Sequence, residues 1–278
     1  MQCTNNLKQW GLAVHNYSDI NNKLPIGATM GDSASRIGIG LRCTWYPRMY
    51  AFIEQAALAQ QYDFGKHFHQ YPNNIEGTAA RDPQACQSAK PDMFYCPSDK
   101  PGNAITGGNY ARARANYVGC YGYRGYYHGD EVPEQHKHLY TEFKGAMFYL
   151  SKCIGLESVT DGTSNTLMIS EVLLTDNGED KDKRGDVYND ERMGSGFSTI
   201  LTPNSTSPDS MYTGTCIDEN RRPCVEAASC EYYAARSNHS GGVNAAMGDG
   251  SVRFFSDTVS ENTWRYLSTT KGGETDLD

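Results

Sequence analysis

The sequence predicts an α+β fold: an amphipathic helix at the N-terminus, a second helical stretch, and then short strands separated by long loop insertions. Three observations carry this. The first segment, CTNNLKQWGLAVHNYSDINNKLP, sets Leu7, Trp10, Val14 and Tyr17 at i, i+3, i+7 and i+10, one stripe of a helix. Near the other end, Val243, Ala245 and Met247 and then Val252 and Phe254 alternate on either side of Asp249-Gly250, the pattern of a β-hairpin with a type I′ turn. The chain also holds 28 Gly and 19 Tyr, which suit many turns and half-buried sheet faces.

Thr4 or Asn5 is placed to cap the first helix, and Pro25 stops the chain from continuing as helix beyond it. TWYPRMYAFIEQAALAQQYDF carries a second stripe, Met49, Phe52, Ile53 and Ala56, with Pro47 suited to its first turn. Residues 63–90 look irregular. His67 and His69 alternate there without a third ligand nearby, which favours a surface loop over a metal site. MFYCPSDKPG is expected as a short strand ending in a Pro-Ser-Asp turn, ANYVGCYGYRGYY as a strand with close backbone approaches, and TEFKGAMFYL as another strand. In LESVTDGTSNTLMISEV, Leu156–Thr160 make a helical turn and Asp161-Gly162 a tight bend. Thr163, Ser164 and Asn165 offer groups to local backbone, and a strand runs over 166–172. GFST begins a strand before a Pro/Ser/Asn loop, and SENTWRYLSTTKGGE is a Ser260-capped turn that packs Trp264 and Leu267 inward and ends at Gly272-Gly273.

Composition bounds the function. With 278 residues, 38% of them hydrophobic, the chain can bury the core of one large domain or two small ones. Its net charge of -8 gives no electrostatic attraction to nucleic acid or anionic lipid. No run approaches about 20 apolar residues, so none spans a bilayer, and no cleavable signal peptide is visible. Nine cysteines, none in a Cys-x-x-Cys pair, argue against structural zinc and for disulfides in an oxidising compartment, with scattered buried thiols as the plainer alternative. The odd count leaves at least one unpaired, for which Cys3 at the terminus is the candidate, while two of Cys216, Cys224 and Cys230 are close enough to clip a loop. Export without a signal resolves if a membrane segment lies upstream of Met1.

Several residues invite a chemical reading. Asp180, Asp182 and Glu191 fall at positions one, three and twelve of a calcium-loop spacing, with Gly185 at six. Arg184 stands at position five, where its guanidinium repels a cation, so a solvated acidic loop is the expected state and calcium the weaker one. Ser164 lacks a Gly-x-Ser-x-Gly setting. His239 and Asp249 are an acid–base pair in principle, but no nucleophile accompanies them. Asp249 and Gly250 already have work at a turn tip, and the His239 imidazole is expected to bond the backbone where the strand begins.

Taken together, QCTNNLKQWGLAVHNYSD, TWYPRMYAFIEQAAL, YCPSD, TDGTSNTLMISE, GFSTILTPNS and a His followed after nine residues by Asp-Gly closely resemble the planctomycete-type prepilin-like family of unknown function, over nearly the whole chain. The resemblance implies a type IV pilin or type II secretion pseudopilin fold, in which a long N-terminal helix packs on an antiparallel β-sheet. It also implies a prepilin-type N-terminal methylation signal and an apolar helix ahead of Met1. The chain is then one pilin-like head: 1–24 the C-terminal half of the long helix, 25–235 helix, sheet and loop insertions, and 236–278 the hairpin and final helical turn. Its partners are copies of itself or other pilin-like subunits, and the membrane through the helix upstream. His239, Asp249, Gly250, Asp161, Gly162 and Asn165 are structural residues in this reading, with no catalytic residue and no cofactor beyond the weak calcium candidates. Type II pseudopilins often carry a structural calcium, which strengthens that candidate by resemblance alone. The expected role is an exported, non-catalytic subunit of a cell-surface filament or secretion pseudopilus. The alternative is an extracellular glycan- or solute-binding module that stacks sugars on stretches such as YGYRGYYHGD. A hydrolase using His239, Asp249 and Ser164 ranks last.

Overall fold

The expected N-terminal helix is α1 (Gln2–Asn21), with Leu7, Trp10, Ala13 and Val14 buried along one face. It starts ahead of Thr4 and Asn5, which lie inside it rather than capping it. The computed structural model describes residues 1–29, 42–65, 86–99, 112–127, 143–150, 152–179, 181–190, 193–227 and 230–273. His67 and His69 lie outside them. The second helical stretch is broken: α2 (Tyr46–Met49) runs into a 3-10 turn, the chain reverses at Glu54 with φ 60°, and α3 (Ala56–Gln61) comes next.

The described residues then form nine short strands: β1 (Tyr117–Cys120), β2 (Tyr126–Tyr127), β3 (Leu167–Glu171), β4 (Gly196–Phe197), β5 (Asp209–Met211), β6 (Cys224–Glu226), β7 (Cys230–Glu231), β8 (Gly242–Met247) and β9 (Val252–Ser256). The central sheet has the order β4-β1-β3-β8-β9. It is antiparallel except at its edge, where β4 joins β1 in parallel, so the expected all-antiparallel sheet is corrected there. Two further expected strands are absent among the described residues. Asp92–Phe94 form a 3-10 turn, and within 143–150 only Leu150 makes a bridge, to Ala28. A short helix, α4 (Glu261–Tyr266), ends the described chain, and the Ser260 side chain caps it by accepting the Thr263 N–H.

The sheet separates two cores because successive side chains on a strand point to opposite faces. Tyr117, Tyr121 and Ala246 face α1, where Trp10 meets Trp45, Tyr46 and Phe94 with ring centroids 5.0–5.8 Å apart. Val118, Cys120, Val243, Ala245 and Met247 face the other way, onto Trp264 and Leu267 of the α4 region. A bulge between Leu167 and Ile169 turns both Met168 and Ile169 to the α1 side. Burying each large side chain of this kind contributes about 1.5–3 kcal/mol.

The β8–β9 hairpin closes differently from expectation. Met247 N–H donates to Ser251 O and Gly250 N–H to Met247 O, enclosing a three-residue loop. Only Gly250 of the Asp249-Gly250 pair takes positive φ, +81°, so this is a type I turn with a glycine bulge, not type I′. The close approach constrains Gly11 of α1: a Cβ there would sit 3.1 Å from the Gly250 Cα, so helix and hairpin tip meet backbone to backbone.

Over residues 182–190 the charged segment is buried, not the solvated loop its composition suggests, while Glu179 and Lys181 ahead of it are exposed. Asp182, Arg184, Asp209, Arg222 and Arg236 are each at most 2% exposed. They form a buried chain of ion pairs: Arg222 to Asp182 at 2.6 Å, Asp182 to Arg184 at 2.7 Å, Arg184 to Asp209 at 2.9 Å, and Asp209 to Arg236 at 2.9 Å. Glu219 balances the Arg222 end at 2.6 Å. Burial works against the charge of Asp182, but Arg184 and Arg222 outweigh it and hold its carboxyl below the usual carboxylate range. Both Asp182 oxygens therefore carry guanidinium donors, which corrects its candidacy as a calcium ligand. Asp180 and Glu191 lie outside the described residues.

Candidate functional site

His239 and Asp249 do not meet. His239 lies against Cys96 and Glu171 beside the first turn of α1, where Cys3 sits. Asp249 lies at the exposed hairpin tip beside Gly11, about 12 Å further along at 1.5 Å per helical residue. The Asp249 carboxylate accepts the Ser251 N–H at 2.8 Å, which closes its own turn. Ser164 belongs to a 3-10 turn on the Asp249 side, where Thr163 O accepts the Asp249 N–H and Thr166 O the Gly248 N–H. The neighbouring bend fastens the C-terminal segment. Asp161 accepts N–H groups from Gly272 at 2.7 Å and Gly273 at 2.9 Å and the Thr269 hydroxyl at 3.1 Å, Gly162 takes φ +94°, and the Asn165 amide reaches Asp161 O. Gly272 and Gly273 thus serve as donors to Asp161, and α4 has already stopped at Tyr266.

The molecule gathers unlike groups around His239. Cys3 and Cys96 form a disulfide, which corrects the expectation that Cys3 is the unpaired cysteine. The second disulfide, Cys216–Cys224, is the expected loop clip. His239 Nε2 is 3.1 Å from Glu171 Oε1 and 3.6 Å from Cys96 Sγ. The imidazole thus bonds a carboxylate, not the backbone, while the His239 N–H donates to Ser237 Oγ. Glu171, 1% exposed at the end of β3, is fixed through its other oxygen by the Asn244 N–H at 2.9 Å. Cys96 is fixed through its own N–H, which donates to Asn116 Oδ1, and Asn116 in turn donates to Asp99 at 2.6 Å. Asp99 also accepts from Asn238, next to His239. One ligand-type atom each from Cys3, Cys96, Glu171 and His239 lies within 4.8 Å of all the others.

The segments that converge here are QCTNN, YCPSD, TLMISE and RSNH, four of the stretches that make the sequence distinctive. Residues 1–262 match the model of a family described as protein of unknown function (DUF1559). The chain belongs to that family. No curated protein and no solved structure matches it.

In this DUF1559 chain the hydrogen bond that the His239 ring donates to Glu171 raises the His239 pKa above its ordinary 6.5, with burial opposing part of the rise. Three buried thiols elsewhere are poor nucleophiles at neutral pH: burial pushes Cys43 and Cys86 up to about 11 and Cys120 to about 12. The tyrosines proposed as a sugar platform are largely committed. Tyr121 and Tyr126 are buried, and the Arg265 guanidinium sits 3.7 Å from the Tyr123 ring centroid. Glu171 is invisible as a site residue in the sequence. Its one signal is position: an acidic residue closing an otherwise apolar strand, TLMIS, has to find a partner once the strand is buried.

Proposed function

We propose that this chain is the head of an exported, non-catalytic pilin- or pseudopilin-like subunit, in which α1 belongs to the helical spine of a filament or secretion pseudopilus. The observation that carries the reading is α1 itself. It lies across β3, β8 and β9 by one face, while on its outer face Leu12 is 62% and Ile20 71% exposed. Apolar side chains held out on a long, well-packed helix suit burial against neighbouring copies. The two disulfides support an oxidising compartment, and the separation of His239 from Asp249 and Ser164 supports a role without catalysis.

The test is assembly by the product of the complete gene in its own cells. The expected result is a sheared or detergent-extracted surface fraction that contains filaments or short fibres by electron microscopy, and that Leu12→Asp/Ile20→Asp abolishes without loss of the folded head. Protein that stays monomeric in the membrane, with no filament, rejects the proposal.

A further inference from the structure

We propose that Cys3, Cys96, Glu171 and His239 form a tetrahedral site for a zinc-class divalent metal, closed when the two sulfurs are bonded to each other and opened when that disulfide is reduced. The inference stands on the geometry of the cluster and is independent of the pilin-like role.

The donor set is right in kind and nearly right in place. Two thiolates, one imidazole and one carboxylate are the ligand types zinc takes, and four of them are the number a structural site needs. With Zn–N of about 2.0 Å and Zn–S of about 2.3 Å, a tetrahedron sets N and S about 3.5 Å apart and N and O about 3.3 Å apart. His239 Nε2 already stands 3.6 Å from Cys96 Sγ and 3.1 Å from Glu171 Oε1. For the tetrahedron to form the sulfurs must part to about 3.8 Å and the other pairs settle near about 3.5 Å, a rearrangement inside a cluster whose ligand atoms already lie within 4.8 Å of one another.

The supports a metal site needs are in place as well. The Asn244 N–H holds one oxygen of Glu171 and leaves the other turned to His239. Ser237 Oγ fixes the backbone of His239, and Asn116 that of Cys96. Such outer contacts orient ligands and tune their affinity. The four ligands come from α1, from the turn before Pro97, from the end of β3 and from the approach to β8, so a bound ion would tie the helix to the sheet as the disulfide does. This distribution is also why the absence of a Cys-x-x-Cys pair misleads: the two cysteines are 93 residues apart in sequence.

The change of state balances. A dithiol reductant delivers two electrons and two protons to the Cys3–Cys96 bond, giving two thiols, and leaves as its own disulfide. The metal then displaces both thiol protons to solvent, with any proton on His239 Nε2, and takes the two thiolates, the neutral imidazole and the Glu171 carboxylate as ligands.

The experiment is a Co²⁺ titration of the purified chain, oxidised and after reduction with a phosphine that is then removed without oxygen. The reduced protein should bind one equivalent, with thiolate-to-cobalt charge transfer and the intense visible bands of tetrahedral cobalt, and one equivalent of Zn²⁺ should erase both. The oxidised protein should show neither. Cys3→Ser/Cys96→Ser should abolish the charge transfer although the thiols of Cys43, Cys86, Cys120, Cys153 and Cys230 and those of the opened Cys216–Cys224 bond remain. Glu171→Gln and His239→Gln, which keep both sulfurs, should each weaken binding at least tenfold and shift the visible bands. Reduced wild-type protein that takes up no cobalt, equal uptake by the oxidised form, or a spectrum unchanged in the cysteine double variant would each overturn the site.

Discussion

The buried ion-pair chain beneath β5 and the cluster around His239 both place polar groups inside the fold, and they do so on opposite terms. In the chain, three guanidiniums from Arg184, Arg222 and Arg236 answer three carboxylates from Asp182, Asp209 and Glu219. Spare donors go to backbone oxygens: Arg184 to Arg222 O and Ile217 O, Arg236 to Ser205 O and Ser207 O. These groups are committed to one another and to the backbone around them. Around His239 the groups are unlike one another, the imidazole is partly open to solvent, and the two sulfurs have a second state available to them. A network of mutually paired charges fixes a loop; a mixed cluster with one open edge can change what it holds.

The sharpest way to break the contrast is to remove one member of the chain. Asp182→Asn leaves Arg184 and Arg222 buried against an amide, and should cost about 3–5 kcal/mol of unfolding free energy. Urea denaturation followed by tryptophan fluorescence measures this, because Trp10, Trp45 and Trp264 are all buried. A loss below about 1 kcal/mol would mean that the network is hydrated and that its charges are not interdependent.

Removing the cross-link at the other cluster should cost less. Cys3→Ser/Cys96→Ser, compared with wild type under oxidising conditions, should lose about 2–4 kcal/mol, chiefly through a freer unfolded chain. The corresponding change at Cys216–Cys224 closes a separation of 8 residues instead of 93 and should lose less. Equal losses at the two bonds would show that local packing, not chain closure, sets the contribution of each.

The contrast also explains which features are legible in the sequence. The stripe Leu7, Trp10, Val14, the 167–171 strand, the hairpin and the capped turn at Ser260 are local patterns, and local patterns survive in a sequence. The break at Glu54 and the parallel edge strand β4 are decided by tertiary contacts that no window of residues contains. The ion-pair chain is hidden for the same reason. DNGEDKDKR looks like solvent-facing sequence because the partners of Asp182 and Arg184 lie 25 to 40 residues away. At His239 the cysteine and histidine motifs can be seen one by one, but their convergence, and the entry of Glu171, needs the sheet order β1-β3-β8 to bring them together.

The smallest effect distinguishes the two clusters by pH. Asp182 has a depressed pKa when folded, so its contribution is complete above the unfolded carboxylate value and fades only as pH falls through the lower, folded one. Across neutrality it is constant. His239 has the opposite sign in the oxidised, metal-free protein. Its folded pKa is raised above 6.5 by Glu171, the carboxylate that faces it, with burial and the nearby amino group at Met1 opposing. Its contribution is therefore complete below about pH 6.5 and disappears as pH rises through the folded value. The imidazole is 21% exposed, which holds the effect below about 1 kcal/mol. The stability difference between wild type and His239→Gln should shrink from about pH 6 to about pH 8.5, while the Asp182→Asn deficit stays flat over the same range. Glu171→Gln should remove the slope at His239, since the bond that raises its pKa goes with the carboxylate. A His239→Gln difference that grew with pH would mean that the neutral ring, not the imidazolium, is the form the fold prefers, and the Glu171 contact would then be a neutral hydrogen bond instead of an ion pair.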